Sequence, residues 1–503
     1  MTKTLICNVP PLDFTKPPLA GAILCAICEN LGHTVTALDL QIELNNHLLA
    51  DDLSIDFLDD VLYDFTHDFT QKQKQTLDKF IARQSQQIAD QNYDYILLGL
   101  FSYLGQKFTT KFLSALRKKT TSKIIIGGPG VTSASYIESN NNYGQNLKDC
   151  NLIDCYITGE AEDALPMYFT LGEGPGINNK NFKQLDELDQ FPFPNYSYYN
   201  FADYSSDLEL AVVGSRGCVR SCTFCDVVKT SPKYRYRSGN NVANEIIQHY
   251  EKHGITKFYF TDSLVNGSEK MFNDMCNTLG NYKFDEPISW SGQYIFRNRK
   301  SVSKDHFDLL KISGCSTLFV GIETGSDRVR YEIGKKFTND DIEFYLENFS
   351  QIDVKVLFLF FSGYISETQE DHNETLTMFK RWQKYVATGT ITAIETLNIL
   401  NILPGSPLEN IARTSNFHFM QNDDGSINNL FWINPNNANL DFNERVRRHV
   451  EMMKEAIKYK WPIWNGDLSL DLFYKALLEY NTVSKNKTIQ LTPIRIINEI
   501  KSQ

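Results

Sequence analysis

Strand-like and helix-like segments alternate along most of this chain, and the alternation limits the folds open to it. Short apolar runs rich in β-branched and aromatic residues recur, each separated from the next by a segment with helical periodicity. Consecutive strands joined through helices pair in parallel, and those helices cover both faces of the sheet. The sequence therefore predicts an α/β fold. A chain of 503 residues is too long for one core and is expected to form roughly two to four domains.

The first domain is predicted over residues 1–184. This order of segments predicts a doubly wound, Rossmann-like domain whose ligand would lie beyond the carboxyl ends of the strands. Its strand-like segments are "KTLICNVP", "HTVTALDL" and the runs at 95–101, 123–128 and 154–160, with a helical, charge-mixed stretch at about 50–92.

Residues 185–207 are rich in proline and aromatic residues and predict an ordered linker. Six more strand–helix units follow over 208–410 and predict a partial (β/α)6 barrel of the TIM type, with its active site at the carboxyl ends of the strands. Residues 411–503 open with a polar stretch and are predicted to be a mainly helical substrate or lid region. There, Asp441 with Glu444 forms the capping-box pattern of a helix start.

Composition and charge narrow the function classes. A net charge of −11 with no long basic run argues against broad nucleic-acid binding. The longest apolar run, at 356–365, is about half of what a bilayer requires and predicts a buried strand rather than a membrane span. The N-terminus lacks the features of a signal peptide. We therefore expect a cytoplasmic protein whose scattered cysteines are reduced thiols.

Three cysteines are the exception to this scatter. Cys218, Cys222 and Cys225 form a C-x3-C-x2-C loop directly after a predicted strand. Thiolates select zinc, copper(I) or iron–sulfur clusters, and a four-iron cluster takes one ligand per iron. Three ligands would leave one iron open, which is the interpretation that the spacing favours. There are two alternatives, a zinc site and unliganded core thiols. A zinc site more often uses two C-x2-C pairs or added histidines. His249 and Cys276 are distant in sequence, although folding could bring either of them close to the loop.

At these residues the chain resembles the radical S-adenosylmethionine (SAM) superfamily, over about residues 208–410. The resemblance implies that SAM chelates the vacant iron of a [4Fe-4S] cluster through its amino and carboxylate groups. An electron from the cluster then cleaves a carbon–sulfur bond to give a 5′-deoxyadenosyl radical. On this interpretation the three cysteines are the metal ligands and the catalytic residues.

The later strands match the family in order. Phe224 matches an aromatic residue before the last cysteine, and "YFTDS" (259–263) places Thr261 and Asp262 where the methionine amino group is bound, with Asp262 as the acceptor. "GIETG" (321–325) places Glu323 at the SAM ribose. Each acid has an alternative role, because Asp262 could cap the following helix and Glu323 could cap a helix or pair with Arg328.

Four further elements give weaker evidence for the resemblance. Arg297 would neutralise the SAM carboxylate, or would form a surface ion pair, and Gln293 is a less specific candidate for SAM contact. "GYISETQED" (363–371) resembles the family's G-x-P-G-E-T-x-E-D turn with Ile-Ser in place of Pro-Gly. "LPGSPL" (403–408) resembles a P-G-T-P-L turn near the adenine.

The first domain resembles the cobalamin-binding domain that precedes the barrel in one branch of this superfamily. The elements that match are "SYL" (102–104), "GGPG" (127–130) and "TGEAEDALP" (158–166). Glycines there would let a flat corrin approach the backbone, although glycine pairs end strands in many α/β folds. The implied cobalamin contacts are Ser102, Leu104, Gly127, Gly128, Gly159 and Glu160.

One motif of that branch is altered. Many cobalamin domains carry D-x-H-x-x-G after the first strand, and the histidine binds cobalt. Here "DFTKPP" (13–18) has Thr15 in place of the histidine and Pro18 in place of the glycine. His33 follows the first helix and is expected to be a turn or surface residue. The sequence predicts either cobalamin without a protein histidine ligand or a vestigial domain.

Together the two resemblances imply a radical methyltransferase acting on an unactivated carbon or phosphorus centre. Its expected partners are a small-molecule or peptide substrate and an electron donor such as flavodoxin or ferredoxin. The alternatives are a cobalamin-dependent rearrangement or cyclisation without methyl transfer and, in another class, a zinc-binding structural or interaction protein. The aromatic pairs Phe431-Trp432 and Trp461 with Trp464 would either contact substrate or, as is more common, serve packing.

Overall fold

The structure is a computed structural model of the 503-residue chain. It describes residues 1–464 except 11, 12, 14, 54–69, 133–141, 180, 183 and 422–426. The chain forms two compact units, of which the first comprises Met1–Ala211 and the second begins at Val212.

The first unit is built on a five-stranded parallel sheet in the order β2-β1-β3-β4-β5. The strand order reverses between β1 and β3, which creates the crevice where ligands of such sheets bind. The doubly wound prediction is thereby confirmed. The strands are β1 (Lys3–Asn8), β2 (Thr34–Asp39), β3 (Tyr95–Gly99), β4 (Lys123–Gly127) and β5 (Cys155–Ile157).

Helices cover both faces of this sheet. Along β1, Leu5 and Cys7 enter one buried cluster and Ile6 enters another, as alternating side chains must when both faces are covered. Part of the predicted helical stretch at 50–92, namely 54–69, lies outside the described residues. The helices are α1 (Leu19–Asn30), α2 (Leu40–Ala50), α3 (Gln71–Asp90), α4 (Gln106–Leu116), α5 (Tyr143–Asp149) and α6 (Ala161–Leu171).

The aromatic segment predicted as a linker packs as an ordered part of the first unit. The side-chain amide of Asn8, at the end of β1, donates to the Tyr199 hydroxyl at 3.0 Å. The Tyr204 hydroxyl donates to the carboxylate of Asp39 at 3.1 Å. Burial raises the pKa of Asp39 to about 6. These contacts hold the segment against the carboxyl ends of β1 and β2.

The second unit is built on a six-stranded sheet in the order β6-β9-β10-β11-β12-β13, and β9 to β13 pair in parallel. Strands that neighbour each other in sequence neighbour each other in the sheet, as the partial barrel prediction requires. The strands are β6 (Leu210–Val212), β9 (Lys257–Phe260), β10 (Ser289–Gln293), β11 (Cys315–Glu323), β12 (Lys355–Ser362) and β13 (Ile391–Ile399).

Helices follow the strands of this sheet, and a short antiparallel pair, β7 (Ser215–Arg216) and β8 (Arg235–Tyr236), flanks the cysteine loop. The helices are α7 (Val227–Thr230), α8 (Gly239–His253), α9 (Glu269–Asn281), α10 (His306–Ile312), α11 (Asp327–Ile333), α12 (Asn339–Ile352), α13 (Gln369–Arg381) and α14 (Gln383–Ala387).

The segment after the barrel strands is not helical throughout. Between α15 (Pro407–Thr414) and α16 (Phe442–Lys458) lies an antiparallel hairpin of β14 (His418–Gln421) and β15 (Ile427–Ile433), which the polar sequence did not indicate. The backbone N–H of Glu444 donates to Asp441 at 2.8 Å, which confirms the predicted start of α16. The Glu444 carboxylate pairs with arginines of the same helix and does not complete the capping box. Residues 465–503 lie outside the described residues.

Residues 462–464 add a short parallel segment to the open edge of the six-stranded sheet. The backbone N–H of Ile394 in β13 donates to the Pro462 carbonyl at 2.9 Å, and the N–H of Trp464 donates to the Ile394 carbonyl at 2.9 Å. The indole of Trp461 is buried and donates to the Phe379 carbonyl at 3.0 Å, so it anchors the segment from the helical side. No described helix is both long and apolar enough to cross a membrane.

Candidate functional site

The cysteine loop of the second unit is held at its centre by Thr223. Its backbone N–H donates to the Ile333 carbonyl at 3.0 Å, its carbonyl accepts from the Leu408 N–H at 2.7 Å, and its hydroxyl shares a hydrogen bond of 3.0 Å with the Tyr364 hydroxyl. The partners come from the end of α11 and from the two turns that resemble family motifs. The sequence analysis identified both turns but did not single out Thr223.

The three thiols of the loop influence one another electrostatically. Cys222 is buried, and burial raises its pKa to about 11, while the charge of Lys335 acts in the opposite direction. Burial also raises the pKa of Cys225, and the charge of Cys218 contributes to both shifts. Among the described residues, no three His, Cys, Asp or Glu side chains converge on a point that could hold a single ion. A cubic cluster takes each thiolate on a different iron, so its ligands do not need to share a point.

Lys335 is the strongest addition to the predicted site. Its ammonium lies 2.9 Å from Glu323 Oε1 and 5.8 Å from the centroid of the Phe224 ring. Burial lowers its pKa, but the charges of Glu323 and Cys222 more than offset that effect, so the pKa is raised. The lysine is therefore a fixed cation between the cysteine loop and the predicted ribose-binding acid. It follows α11 in a segment without a local pattern, and for this reason the sequence analysis missed it.

The backbone at the end of β11 re-aims Glu323 towards that cation. Glu323 has a left-handed φ of 65°, and the register with β12 shifts between Gly321 and Glu323. A Cβ on Gly321 would lie 2.3 Å from Glu323 Oε1 and 2.9 Å from Lys335 Nζ. Bulges and strained φ values of this kind occur next to functional sites, where they direct a side chain. The alternative pairing of Glu323 with Arg328 does not occur, because Arg328 pairs with Asp371.

Asp262 lies at the carboxyl end of β9, as predicted, but its oxygens are engaged within the unit. It accepts from the Gly214 N–H at 2.9 Å and from the Ser215 hydroxyl at 2.5 Å. Burial raises its pKa to about 6. Asp262 does not cap α9, whose cap is Ser268, so the capping alternative is wrong. Its role towards an amino group stays a prediction, since the carboxylate already fixes the strand that leads into the cysteine loop.

The remaining SAM candidates lie at the same edge of the sheet. Thr261 donates through its hydroxyl to the Val212 carbonyl at 3.3 Å, and Gln293 ends β10. Arg297 donates to the carbonyl of Asn266 at 2.8 Å and lies 3.6 Å from Glu269, the ion pair that was the alternative to a carboxylate contact. Lys335, not Arg297, is therefore the cation next to Glu323.

The two turns that resemble family motifs are fixed by their own acids. In the first, the N–H groups of Gly363 and Tyr364 donate to Glu367 at 2.8 and 3.1 Å. In the second, Gly405 donates to Glu409 at 2.6 Å and has a φ of 83°. The Ile-Ser replacement of Pro-Gly is thus compatible with a closed turn.

In the first unit, the predicted cobalamin residues do lie at the carboxyl edge of the sheet. Ser102 accepts from the Leu104 N–H at 3.2 Å, and this bond caps the single turn that follows β3. Glu160 accepts from the Leu185 N–H at 2.7 Å. These side chains therefore stabilise loops of the unit itself.

Most of the glycines at this edge are required by the backbone and by contacts inside the unit. Gly128 has a φ of 105° and a Cβ there would lie 2.5 Å from the Leu100 carbonyl oxygen. Gly159 has a φ of 80° and is covered by the Phe182 ring, 2.3 Å from the position of a Cβ. Gly127 differs, since a Cβ would make only ordinary contacts of 3.6 and 3.7 Å with Ile157. Of these three glycines, only Gly127 has no internal contact that would exclude a Cβ.

The loop after β1 contains no histidine in the position of the cobalt ligand. Thr15 donates through its N–H and its hydroxyl to Asp13 at 2.8 and 2.5 Å. His33 Nδ1 lies 2.9 Å from the Thr4 hydroxyl at the start of β1, so the ring packs at the opposite end of that strand. Phe169 packs edge-on against it.

Residues 212–379 match the family model of the radical SAM superfamily. The second unit contains a radical SAM domain. Such a domain implies a [4Fe-4S] cluster and SAM, and the loop, its buried cation and Glu323 are suited to both. Because the match ends at residue 379, the last barrel strand and everything after it lie outside the family model.

Three known proteins are similar to larger parts of the chain. An uncharacterized methyltransferase from Pyrococcus horikoshii is 26% identical over 279 residues, which are 51% of this chain and 58% of the relative. The structure of the radical SAM methyltransferase TsrM from Kitasatospora setae, with cobalamin and a [4Fe-4S] cluster bound, has a TM-score of 0.59 at 15% identity and covers 84% of this chain and 81% of that one.

The structure of the cobalamin-dependent SAM radical enzyme OxsB, with aqua-cobalamin and SAM bound, has a TM-score of 0.63 at 14% identity and covers 100% of this chain and 71% of that one. These likenesses confirm the predicted fold across both units. The chain spans less than two thirds of the Pyrococcus relative.

Proposed function

We propose that this protein is a radical SAM methyltransferase that binds a [4Fe-4S] cluster, SAM and cobalamin and methylates an unactivated carbon or phosphorus centre of a small molecule. The observation that carries the proposal is the buried Lys335–Glu323 pair beside the cysteine loop. It supplies a cation for a carboxylate and an acid for a ribose within one radical SAM domain. The likeness in fold to TsrM and OxsB, both solved with a cobalamin bound, supports the corrin. The methyltransferase names of TsrM and of the Pyrococcus relative support the methyl transfer.

Different residues of the second unit would bind the cluster and SAM. Cys218, Cys222 and Cys225 would hold the cluster, and the charge of Lys335 lowers the cost of deprotonating Cys222 and Cys225, which metal binding requires. Lys335 would also attract the SAM carboxylate, and Glu323 would accept hydrogen bonds from the ribose hydroxyls. When bound, the cluster supplies the electron that cleaves SAM, and cobalamin carries the methyl group.

The protein's further contribution is orientation. The bulged end of β11 and the three bonds to Thr223 fix the acid and the loop relative to each other before a ligand arrives. Preorganised groups of this kind lower the barrier because little has to be reordered during the reaction. Burial of Lys335 also keeps water from screening its charge.

In the first unit the fit to cobalamin rests on the sheet edge between β3 and β4. Gly127 leaves space at the backbone there, and Ser102 closes the adjacent turn. The loop after β1 offers Asp13, Thr15 and Lys16 in place of a histidine. We infer that no protein histidine ligates the cobalt.

The proposal is tested by anaerobic purification followed by joint quantification of iron, sulfide and cobalamin. About four irons and four sulfides per chain are expected for a single cubic cluster, together with one cobalamin. With reductant and SAM labelled in its methyl group, the protein should form 5′-deoxyadenosine and S-adenosylhomocysteine when supplied with a cell extract containing its substrate. Mass spectrometry should find a product with the label.

Each alternative gives a different result. Deoxyadenosine without S-adenosylhomocysteine would indicate a rearrangement or cyclisation and would refute methyl transfer. Zinc without sulfide would refute the cluster and support a structural metal site. A flavodoxin or ferredoxin that replaces the chemical reductant would identify the class of electron donor that we expect.

A further inference from the structure

The five tryptophans of the chain have very different surroundings. Trp290, Trp382 and Trp432 are fully buried, and Trp461 is 3% exposed. Trp464, only three residues later, is 47% exposed. Its indole N–H donates no hydrogen bond within the part of the chain that the structure describes, whereas those of Trp290, Trp432 and Trp461 each donate to a backbone carbonyl. The first four are core residues, whereas the Trp464 side chain is only partly covered.

The short segment 462–464 carries Trp464 onto the inner face of the sheet. Trp461 packs on Phe358 and Phe379, which face the helices. Side chains alternate along an extended segment, so the side chain three positions later lies on the opposite face. There the indole meets the ring of Phe319, with centroids 5.7 Å apart and planes tilted by 34°.

This contact shows that the sheet is curved around an interior. Phe319 is on β11, and two strands separate it from the segment 462–464. Strands about 4.8 Å apart would put these two backbones about 14 Å apart across a flat sheet. Their rings touch because the inner face is concave. On the other side of Phe319, Tyr259 of β9 packs edge-on at 6.0 Å.

Tyr259, Phe319 and Trp464 therefore form a row of three rings across the concave face, which we call the aromatic row. It lies directly below the site described above, because Phe319 and Gly321 point to the same face and are about 7 Å apart along the strand. A Cβ on Gly321 would meet the Glu323 carboxylate and the Lys335 ammonium, so both groups lie over this face. The row is continuous with the proposed SAM site.

We propose that the aromatic row is a substrate subsite that takes a flat, unsaturated ring, and that Trp464 determines its specificity. The inference rests on the proposed function, since it assumes a small-molecule substrate inside the sheet. Offset and edge-to-face ring pairs are favoured over contacts with saturated groups. The indole face is half exposed and its N–H has no acceptor among the described residues, so a flat ring with a hydrogen-bond acceptor would complete both. The family model ends before this segment, so nothing in the family match assigns it a role.

The test uses 4-fluorophenol as a flat probe and 4,4-difluorocyclohexanol as a saturated one, since both are six-membered rings with one hydroxyl acceptor, and both are followed by fluorine NMR on the reconstituted full-length protein. We expect 4-fluorophenol to bind and the saturated ring not to bind. Trp464→Ala should weaken binding about tenfold, the loss of one stacking partner, while Trp464→Phe should retain most of it. Ile457→Ala is the control, because Ile457 is comparably exposed, at 50%, on the outer helix α16.

Two measurements keep folding and the proposed function separate from the subsite. Thermal unfolding and iron content of Trp464→Ala should match those of the wild type, since Trp461 still anchors the segment. A wild type that takes up no cluster but binds the flat probe through Trp464 would refute the proposed function and leave the subsite standing. Equal binding of both probes, no binding of either, or unchanged binding by Trp464→Ala would each overturn the subsite.

Discussion

The two units place their sequence-predicted residues at the expected edges, but they use those residues differently. In the second unit the buried ammonium group of Lys335 pairs with Glu323 and acts electrostatically on the thiol of Cys222. In the first unit Ser102, Gly159 and Glu160 are occupied by loops of the unit itself. The difference teaches that side chains able to ligate or carry charge specify a site more strongly than glycines and turn residues, which the backbone also needs for itself.

The largest effect is expected at the cysteine loop. Cys218→Ala, Cys222→Ala and Cys225→Ala should each abolish SAM cleavage, because loss of even an outer partner of a metal ligand typically costs about 10–100-fold and loss of a ligand costs more. Iron analysis and deoxyadenosine formation measure this. Cys150→Ala, at an exposed cysteine of the first unit, is the control and should change neither. Full activity in any one of the three variants would show that the loop does not hold the cluster.

The next largest effect concerns the buried pair. Lys335→Met leaves Glu323 charged and unpaired, which costs about 3–5 kcal/mol of folding free energy for a buried pair. Denaturant unfolding should show that the double variant Lys335→Met/Glu323→Gln recovers much of this loss. Calorimetry with SAM should show no recovery of SAM binding. Recovery of both would mean that the pair is structural and does not contact SAM.

Two neighbouring glycines separate packing from ligand binding in the first unit. Gly128→Ala should destabilise the unit by about 1–3 kcal/mol, since alanine must adopt a positive φ and meet the Leu100 carbonyl. Gly127→Ala meets only ordinary contacts, so its unfolding free energy should stay within about 0.5 kcal/mol of the wild type. Cobalamin uptake by Gly127→Ala should nevertheless fall. Unchanged uptake would show that the corrin does not approach this edge.

The smallest effect is a null result. His33→Gln should leave the electron paramagnetic resonance spectrum of the bound cob(II)alamin unchanged, because His33 lies at the start of β1 beside Thr4, away from the carboxyl edge. Growth of the wild type on nitrogen-15-labelled histidine should likewise leave the nitrogen hyperfine splitting of the cob(II)alamin spectrum unaltered. A change in either spectrum would identify a histidine ligand and refute the altered-motif prediction.

Most of the fold could be predicted because burial on both faces imposes long apolar runs. The apolar run at 356–365 overlaps β12 (Lys355–Ser362), and the six barrel strands lie in the sheet in their sequence order. The hairpin β14–β15 was missed because its two short strands flank and partly include the polar stretch 422–429, which indicates a loop. The pairing of 462–464 with β13 was likewise invisible, because a parallel bridge depends on residues about 70 positions apart.

The candidate site was predicted where one motif contained both the chemistry and its spacing. The cysteines, Glu323 and Asp262 belong to such motifs. Lys335 was missed because its importance depends on the bulge that turns Glu323 towards it, and a bulge leaves little trace in a sequence. The alternative partner, Arg328, is seven residues closer than Lys335 to the end of the motif, but it pairs with Asp371.

The three bonds to Thr223 bear on how the metal centre is assembled. They tie the middle of the loop to α11 and to two turns of the sheet through protein atoms alone. We therefore expect a chain that has lost its iron to retain the path of this loop and to accept a new cluster without unfolding.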